Sequence, residues 1–310
     1  MIERIITVTR KTELEELVER FGTVPQVKFY LEHAGHDFAR IQAAHDTYMF
    51  ALAEIRKLVP REFKHHTIGR EFVPRYSFDR DDLIVTVGQD GLVSNTAKYL
   101  NGQPLLAVNP DPDLYDGILM AVTPDTAGPT FKAALAGSGR LKPVSMAEAK
   151  TSDGQSLLAF NDLFIGANSH ISARYRISHG EASEVQSSSG IIVSTGAGST
   201  GWMRSVHTGA LGVMAAVSST SVPLNSPAPL DWSSPSLLFA VREPFPSHAT
   251  KTSLIYGQVS ADTPLRVVSR MAGYGIIFSD GIQSDYVTFN SGTDVTIALA
   301  AKTAQLVDAA

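Results

Sequence analysis

The stretch LIVTVGQDG, residues 83–91, decides the fold class of this chain of 310 residues. Residues 83–87 form a continuous run of apolar and β-branched side chains, which is typical of a strand buried on both faces of a parallel sheet. Gly88 ends the run, and a segment of helical length from about Val93 to Leu100 separates it from a second apolar run, Leu105 to Val108. Strands that alternate with helices indicate an α/β arrangement with a parallel sheet.

The segments before this stretch continue the same pattern. A strand begins at Ile5, and Thr12 with Glu15 forms the capping box of a helix. A longer helix is predicted from about His36 to Leu58, where apolar residues recur at helical spacing. We therefore predict an N-terminal α/β domain over residues 1–122, a parallel sheet with helices on both faces.

The second part of the chain has a different period. Beyond about residue 123, apolar and polar residues alternate between closely spaced turn residues, which favours antiparallel β-structure. Asp153-Gly154 is a strong hairpin signal between two predicted strands. A helix is predicted from about Thr200 to Ala216, followed by an irregular loop from Val217 to Pro235. The sequence thus predicts a second, mainly antiparallel β-domain over residues 123–310.

Composition and charge exclude several functional classes. The chain has a net charge of −5 and no cysteine, which excludes disulfides, thiolate metal sites and a cysteine nucleophile. A mildly acidic chain argues against a general binder of nucleic acid or anionic membranes, because both need a positive surface. The longest apolar stretch, Leu211 to Val217, is shorter than the roughly 20 residues that cross a bilayer. We therefore expect a cytoplasmic protein that binds neither nucleic acid nor membrane.

Gly88, Gln89, Asp90 and Gly91 form a turn between a buried strand and a helix. Glycines beside such a turn let backbone N–H groups approach an anion, and a helix N-terminus adds about half a positive charge, so a phosphate group fits here. The Asp90 carboxylate would repel that phosphate by about 1 kcal/mol in water at about 4 Å. We therefore expect it to accept a proton from an attacking hydroxyl or to hold a metal ion. The alternative is that Asp90 only caps the helix.

The segment from Gly190 to Gly201 predicts a strand, a glycine-rich turn and the start of a helix. Its glycines match the dinucleotide pattern G-x-G-x-x-G, but the βαβ unit and the later acidic residue of that motif are missing. The turn also carries hydroxyl groups that can donate hydrogen bonds to phosphate or ribose oxygens, on Ser194, Thr195, Ser199 and Thr200. A turn capped by a hydroxyl group, without a ligand, is the alternative.

Asn161 and Asp162 interrupt an apolar run of the second part. An amide beside a carboxylate can recognise ribose hydroxyls or the edge of a base, and a bulge or turn is the alternative. Asp280-Gly281 predicts a hairpin turn, with a place beside a site as the alternative. His33 and His36 lack a third candidate ligand, so we do not predict a metal site there.

In this order and at this spacing, these features resemble the motifs of the NAD kinase family. The GGDGT loop of that family resembles residues 88–92, its NE dipeptide resembles Asn161-Asp162, its STPTGSTAY segment resembles residues 194–202, and its late DGQ resembles residues 280–283. A more detailed likeness is to the branch that contains mitochondrial-type NAD kinases. It rests on residues 108–112, 116–117, 188–190 and 242–244.

The resemblance implies that nucleotides bind in a cleft between the two domains, and that a phosphoryl group passes from ATP or polyphosphate to the 2′-hydroxyl of NAD. It implies that Asp90 is the general base on that hydroxyl and that Gly88, Gln89, Gly91 and Asn109 bind the phosphate donor. A divalent cation, Mg²⁺, would bridge the donor phosphates, and the enzyme would be a homodimer or homotetramer. The residues implied to bind NAD are Asn161, Asp162, Ser189, Thr195, Gly198, Ser199, Thr200 and Ser205.

The sequence departs from the family pattern on both sides of this reaction. Gln89 replaces the second glycine of the loop and Leu92 replaces its threonine, while Asp162 is shorter than the usual glutamate and Ser189 stands where many members carry an acid. Two alternatives therefore stay open: a nucleotide-binding regulatory protein without turnover, and a kinase of a sugar or lipid hydroxyl. The acidic net charge and the lack of a basic amphipathic face argue against a lipid acceptor.

Overall fold

A computed structural model describes residues 2–218 and 227–309, with only the backbone described at residues 283 and 284. The chain forms two compact units. Met1–Lys142 and Gln305–Ala310 make the first unit, and Pro143–Ala304 makes the second. This division lies later than the predicted boundary after residue 122, because a helix that the sequence pattern did not predict, Ala127–Leu135, packs into the core of the first unit.

The first unit is built on a parallel sheet, as predicted. Its strands pair in the order β2-β1-β3-β4, and the end of the last strand of the chain adds Gln305 and Leu306 beside β4. These strands are β1 (Arg4–Thr9), β2 (Lys64–Gly69), β3 (Asp82–Val87) and β4 (Pro104–Val108). The helices are α1 (Glu13–Phe21), α2 (Val24–His33), α3 (Phe38–Leu58), α4 (Asp90–Ala97) and α5 (Ala127–Leu135).

Strand β3 is central because every one of its side chains is buried. Leu83, Val85 and Val87 face a core that also receives Tyr48 from α3 and Phe131 from α5. A strand covered in this way has no solvent-exposed face, which explains the run of apolar and β-branched residues from Leu83 to Val87. In a parallel sheet all strands end at one edge, so the residues that follow β1, β3 and β4 lie along the same edge.

The second unit is a pair of antiparallel sheets. One has the order β12-β11-β10-β7-β14-β15, and the other includes β9-β8-β13-β16 with β5 and β6 attached. Their strands are β5 (Leu141–Thr151), β6 (Ser156–Ala159), β7 (Asp162–Ala167), β8 (Ala173–His179), β9 (Ala182–Ser188), β10 (Ile191–Ser194), β11 (Leu237–Val241), β12 (Tyr256–Val259), β13 (Leu265–Ser269), β14 (Gly275–Ser279), β15 (Ile282–Thr288) and β16 (Asp294–Val307).

The main core of the second unit lies between these sheets. Leu163 and Ile165 of β7 meet Tyr175 and Ile177 of β8 in one apolar cluster. Because side chains alternate along a strand, the intervening residues of β7 and β8 point away from this core on opposite sides of the sandwich. The helix α6 (Trp202–Val217) covers part of the outer face of β7 and β10, where Met203 packs against Phe164.

The predicted fold class, an α/β part followed by a mainly antiparallel β part, is confirmed. The Asp153-Gly154 hairpin forms between β5 and β6 as predicted. Of the predicted loop from Val217 to Pro235, residues 219–226 lie outside the described residues, and residues 227–235 contain no helix or strand. Within the described part of the chain, none of the helices has the length and apolar character of a membrane span.

Helix α1 starts with the capping box that its sequence predicts. The Thr12 side chain accepts a hydrogen bond from the N–H of Glu15, and the Glu15 side chain accepts one from the N–H of Thr12. Thr12→Ala should lower the free energy of unfolding by about 1 kcal/mol, because it leaves the N–H of Glu15 without this partner. Urea unfolding followed by circular dichroism measures the loss. Thr12→Ser, which keeps the oxygen, should stay close to the wild type, and an equal loss in both variants would contradict the assignment.

Candidate functional site

The Gly88 loop lies at the carboxyl end of β3 and leads directly into α4. Gln89 is the N-cap of this helix and makes no side-chain cap bond, so the alternative that Asp90 caps the helix is wrong. Asp90 is the first residue of α4, and its carboxylate accepts hydrogen bonds from the N–H of Leu119 at 2.9 Å and of Ile118 at 3.2 Å. Each carboxylate oxygen therefore has one fixed donor, and the group is held in one orientation while it stays partly exposed.

The two glycines of this loop have different roles, and neither role depends on an unusual backbone angle. Neither Gly88 nor Gly91 has a positive φ. A Cβ at Gly88 would lie 2.8 Å from the Leu92 Cδ2 atom, whereas a Cβ at Gly91 would meet nothing within 4 Å. Leu92 is buried beneath the loop. The Leu92 side chain, which stands where the family has a threonine, thus fills the space under Gly88. Gly91 has no side chain, so the first turn of α4 is left uncovered there.

Asn109 shapes the next loop along the same edge. Its side chain accepts a hydrogen bond from the N–H of Asp111 at 3.1 Å and donates one to the carbonyl of Tyr115 at 2.9 Å. Gly117, at a φ of +65°, approaches so closely that a Cβ there would lie 2.5 Å from the Asn109 amide nitrogen. Asn109 therefore holds the loop that brings the N–H groups of residues 118 and 119 to Asp90. Its predicted contact with the phosphate donor stays a prediction.

Sequence reasoning missed Arg10, which lies beside the Gly88 loop. A Cβ on Gly88 would be 3.6 Å from the Arg10 Cδ atom. The guanidinium group sits 5.3 Å from the ring centre of Tyr48 and 5.7 Å from that of Tyr115, and it donates to the Tyr115 hydroxyl at 2.8 Å. Its buried Nε atom has no hydrogen-bond partner among the described residues. Its position in the sequence could have revealed it, because Arg10 directly follows β1, and β1 is the neighbour of β3 in the parallel sheet.

In the second unit, the Asp280 carboxylate organises the segment that contains Asn161 and Asp162. It accepts backbone hydrogen bonds from Phe160 at 2.9 Å, Asn161 at 2.6 Å and Asp162 at 3.2 Å. The N–H of Asp280 donates in turn to the carbonyl of Asp162 at 3.0 Å. The predicted hairpin turn at Asp280-Gly281 joins β14 to β15, with both residues at positive φ. The alternative, a place beside a candidate site, also holds, because the Asp280 carboxylate binds the backbone of Asn161 and Asp162.

The glycine-rich segment packs backbone to backbone against this dipeptide. Thr195 donates from its N–H to the carbonyl of Asn161 at 2.9 Å and from its hydroxyl to the carbonyl of Phe160 at 2.6 Å, and it accepts from the N–H of Gly198 at 3.2 Å. A Cβ at Gly198 would lie 2.2 Å from the carbonyl oxygen of Asn161, so only glycine fits. The structure thus brings together the NE-like dipeptide, the glycine-rich segment and Asp280. We call this group the Asp280 cluster: Phe160, Asn161, Asp162, Thr195, Gly198 and Asp280.

Asp162 is the chemically unusual member of the Asp280 cluster. It lies on β7 opposite Ser194 of β10 and is only 8% exposed. Burial raises the pKa of its carboxyl group to about 7. A hydrogen bond from Ser194 acts in the opposite direction and lowers this pKa, while the negative charge of the nearby Asp280 raises it further. The Oδ1 atom is buried and has no hydrogen-bond partner among the described residues. Near neutral pH this group can therefore accept or donate a hydrogen bond.

The remaining hydroxyl groups predicted to bind NAD make local bonds in this structure. Ser199 donates to the carbonyl of Gly196 at 2.6 Å, Thr200 to that of Ala197 at 3.1 Å, and Ser205 to that of Gly201 at 3.5 Å. Such bonds fix the glycine-rich turn and the start of α6. Their contacts with a dinucleotide stay predictions.

Ser189 is not part of the Asp280 cluster and lines a cavity of about 530 Å³ in the second unit. Phe164, which projects from the same face of β7 as Asp162, forms one wall together with Trp202 and Phe278, and its ring stacks on that of Phe278 with centres 4.8 Å apart. Arg242 also lines the cavity, and its guanidinium carbon lies 5.7 Å from the centre of the Trp202 ring. Planar, partly apolar ligands fit such walls.

The chain is similar in sequence to a known protein over part of its length. No family model matches the chain. An NAD kinase from Geobacter metallireducens is 31% identical over 166 residues, which cover 50% of this chain and 57% of that protein. The chain therefore spans just over half the length of the curated relative that it matches.

Solved structures give matches over nearly the whole chain. Yeast NADH kinase complexed with NADH matches with a TM-score of 0.58 at 15% identity, covering 99% of this chain and 84% of that one. An NAD kinase from Archaeoglobus fulgidus in complex with ATP matches with a TM-score of 0.57 at 16% identity, covering 98% and 94%. The predicted NAD kinase-like fold and the predicted resemblance to NAD kinases are confirmed. The likeness to the mitochondrial-type branch stays a prediction.

Asp280→Asn should lower the free energy of unfolding by about 2 kcal/mol or more, because the amide replaces an acceptor oxygen with a donor and leaves buried N–H groups unpaired. Urea unfolding measures this loss. Asp262→Asn removes an exposed carboxylate from another turn of the same unit and should change stability little. Equal stability of the Asp280 variant and the wild type would show that these hydrogen bonds do not hold the cluster.

Asp162 should make stability fall as pH rises towards and above 7. Its folded pKa of about 7 lies above the ordinary aspartate value, so the folded protein keeps a proton that the unfolded chain releases. The resulting stabilisation is complete below about pH 4 and is lost as pH rises through the folded pKa. Asp162→Asn cannot titrate, so its stability relative to the wild type should increase between pH 5 and pH 8. Urea titrations at both pH values measure this, and a constant difference would contradict the raised pKa.

Proposed function

We propose that this chain is a member of the NAD kinase family and transfers a phosphoryl group from ATP to the 2′-hydroxyl of NAD. The observation that carries the proposal is the Asp280 cluster. Three motifs that resemble those of the family, around residues 161, 195 and 280, are far apart in sequence. The motifs around 195 and 280 both make direct hydrogen bonds to residues 160–162. The fold shared with NADH kinase and NAD kinase structures and the partial sequence match to an NAD kinase support it.

Asp90 is the general base in this proposal. As the 2′-oxygen of NAD forms a bond to the γ-phosphorus of ATP, the bond from that phosphorus to the bridging oxygen breaks and ADP leaves. Asp90 accepts the proton of the 2′-hydroxyl. The N–H groups of Ile118 and Leu119 hold its carboxylate in position without using all of its lone pairs, so proton transfer needs no rearrangement of this group.

The Gly88 loop binds the phosphates of the donor in this proposal. Gly91 leaves the N-terminal turn of α4 open, where backbone N–H groups and the helix dipole favour an anion. Arg10 supplies a positive charge beside the loop, and its Nε–H is a donor that the described residues leave unused. Together these groups offset the repulsion between the donor and Asp90.

The Asp280 cluster binds the adenosine part of NAD in this proposal. The free Oδ1 atom of Asp162 is a partner for a ribose hydroxyl or for the adenine amino group. Asn161 lies next to it and carries both a donor and an acceptor. Ser189 and the aromatic walls of the 530 Å³ cavity fit the planar ring at the other end of the dinucleotide.

We propose that Mg²⁺ arrives with the donor rather than as a resident metal. The described residues contain no group of three or more His, Asp or Glu side chains that could hold a metal ion. Magnesium commonly binds through substrate phosphates and water with few protein ligands, so a complex of Mg²⁺ with ATP is the form of the substrate that suits this chain. Polyphosphate presents the same chemistry and is the second donor to test.

A nucleotide-binding regulatory protein without turnover is the second candidate function. Gln89 and Leu92 favour it, because the first turn of α4 carries neither the additional glycine nor the threonine hydroxyl of the family loop. Nucleotide binding measured by calorimetry, together with an absence of product from every donor, would support this candidate over the kinase.

We also propose that the protein is a cytoplasmic homodimer or homotetramer. Light scattering of the purified protein measures its oligomeric state.

The purified wild type should form NADP from NAD, Mg²⁺ and ATP, and Asp90→Asn should lower kcat by about 100-fold or more. The KM for NAD should change by less than about threefold, because a base acts mainly on the transition state. Enzymatic detection of NADP gives both constants. Calorimetry of NAD binding to the variant shows whether its site has kept its form.

Asp113→Asn is the matched control, since it removes an exposed carboxylate from the loop that follows β4. It should retain wild-type kinetics. Full activity of the Asp90 variant would remove Asp90 from the role of base. No NADP from the wild type with ATP or polyphosphate would overturn the proposed activity.

A further inference from the structure

Two arginines are neighbours on the outer side of the second unit. Arg174 lies on β8, Arg270 follows β13, and the N–H of Arg270 donates to the carbonyl of Arg174 at 2.9 Å. Both side chains are exposed and line a cavity of about 450 Å³. The two residues are thus backbone neighbours next to the β8–β13 pair, and both side chains line the same cavity.

Neither guanidinium group has a carboxylate partner or a side-chain hydrogen bond within residues 2–218 and 227–309. Like charges that neighbour each other across an antiparallel pair are destabilising. Arg4 shows the contrast, because its guanidinium group donates to both carboxylate oxygens of Asp82 at 2.7 Å. The described protein therefore brings Arg174 and Arg270 together without the anion that would balance them.

The walls of this cavity supply further contacts for such an anion. The segment after β11 runs beside β9, where the N–H of Phe245 donates to the carbonyl of Ser187 at 2.9 Å. Ser187, Ser247 and Thr250 line the cavity. Thr250 donates its hydroxyl proton to the carbonyl of Phe245 at 2.7 Å and accepts that of Ser247 at 2.8 Å, so Ser187 has the hydroxyl donor that is left for a ligand. Phe245 lies at the same cavity with 64% of its surface exposed. The cavity thus combines two positive charges, a hydroxyl donor and one large apolar ring.

We propose that this cavity binds a phosphate group, either free or carried by a ligand whose apolar part lies on Phe245. A phosphate dianion balances two guanidinium groups, and its oxygens can accept hydrogen bonds from both at once, whereas a carboxylate carries only one charge. The Ser187 hydroxyl, whose proton no described residue accepts, can donate to one of the remaining oxygens. The chemistry of the walls therefore selects a phosphate group over a simple carboxylate.

The site is separate from the Asp280 cluster and goes beyond the proposed function. Arg174 alternates along β8 with Tyr175, which faces the core, and Asp162 alternates along β7 with Leu163, which faces the same core from the other sheet. The two side chains therefore project from opposite faces of the sandwich. A ligand bound between the arginines does not compete for the groups of the Asp280 cluster.

The test is thermal unfolding and calorimetry of the full chain in phosphate-free buffer at low ionic strength, with inorganic phosphate or phenyl phosphate added at constant ionic strength. We expect phosphate to raise the Tm of the wild type, as a ligand of the folded state does. Arg174→Gln and Arg270→Gln should each weaken binding at least fivefold. Without phosphate they should unfold at or above the wild-type Tm, because each substitution removes the repulsion, and this also shows that the variants fold.

Arg266→Gln is the matched control, because it removes the same charge from the same face of β13 outside the cavity. It should bind phosphate within twofold of the wild type. Phosphate that binds elsewhere, including the Gly88 loop, raises the Tm of all these proteins alike. The proposal is overturned if phosphate does not raise the Tm of the wild type, or if it raises the Tm of Arg174→Gln and Arg270→Gln by the same amount. It is also overturned if Arg266→Gln loses as much affinity for phosphate as those two variants.

Phenyl phosphate distinguishes a free phosphate from one carried by an apolar ligand. It should bind the wild type more tightly than inorganic phosphate does, and Phe245→Ala should abolish that preference while leaving the affinity for inorganic phosphate within twofold. Equal affinities in the wild type would assign the site to free phosphate. Benzoate should bind at least fivefold more weakly than phenyl phosphate, and tighter binding of benzoate would overturn the choice of phosphate.

Discussion

The Asp280 carboxylate fixes the arrangement on which the candidate site depends. It satisfies the N–H groups of three consecutive residues, 160 to 162, as the chain passes from β6 into β7. A charged acceptor makes such bonds stronger than neutral ones, and buried N–H groups that lost them would be costly. With this segment held, its carbonyl groups receive Thr195 and lie against Gly198, so one carboxylate sets the backbone of both binding segments.

The burial of this segment also changes the acidity of Asp162. Asp162 lies between strands, with one oxygen unpaired and a second carboxylate nearby, and its pKa rises to about 7. Such a group costs stability above neutral pH, which is a common property of residues that serve a ligand rather than the fold. In the first unit Asp90 has the opposite environment, because two backbone donors hold its carboxylate at a partly exposed position. The two acids are therefore suited to different tasks.

Much of the fold could be predicted because its decisive elements are strongly patterned. The buried run of β3, the capping box of α1 and the hairpin at Asp153-Gly154 all carry local signals. Helices α2 and α5 were missed, and α5 follows the point where the period changes. The motifs near residues 161 and 195 were found, but the hydrogen bonds between them were not, because they form between segments that only the folded sheet brings together. The carboxylate that holds the first of these segments lies 118 residues from Asp162 in sequence. Arg10 was missed for a similar reason, since only the pairing of β1 with β3 brings it to the Gly88 loop.

The central claim is that the Asp280 cluster is the acceptor site for the adenosine part of NAD. A crystal structure of the protein grown with NAD tests it most directly. The account predicts that an oxygen or nitrogen of the adenosine lies within hydrogen-bond distance, about 3.2 Å or less, of the Asp162 carboxyl group. A dinucleotide seated elsewhere, with the Asp162 Oδ1 atom still lacking a partner, would contradict the account.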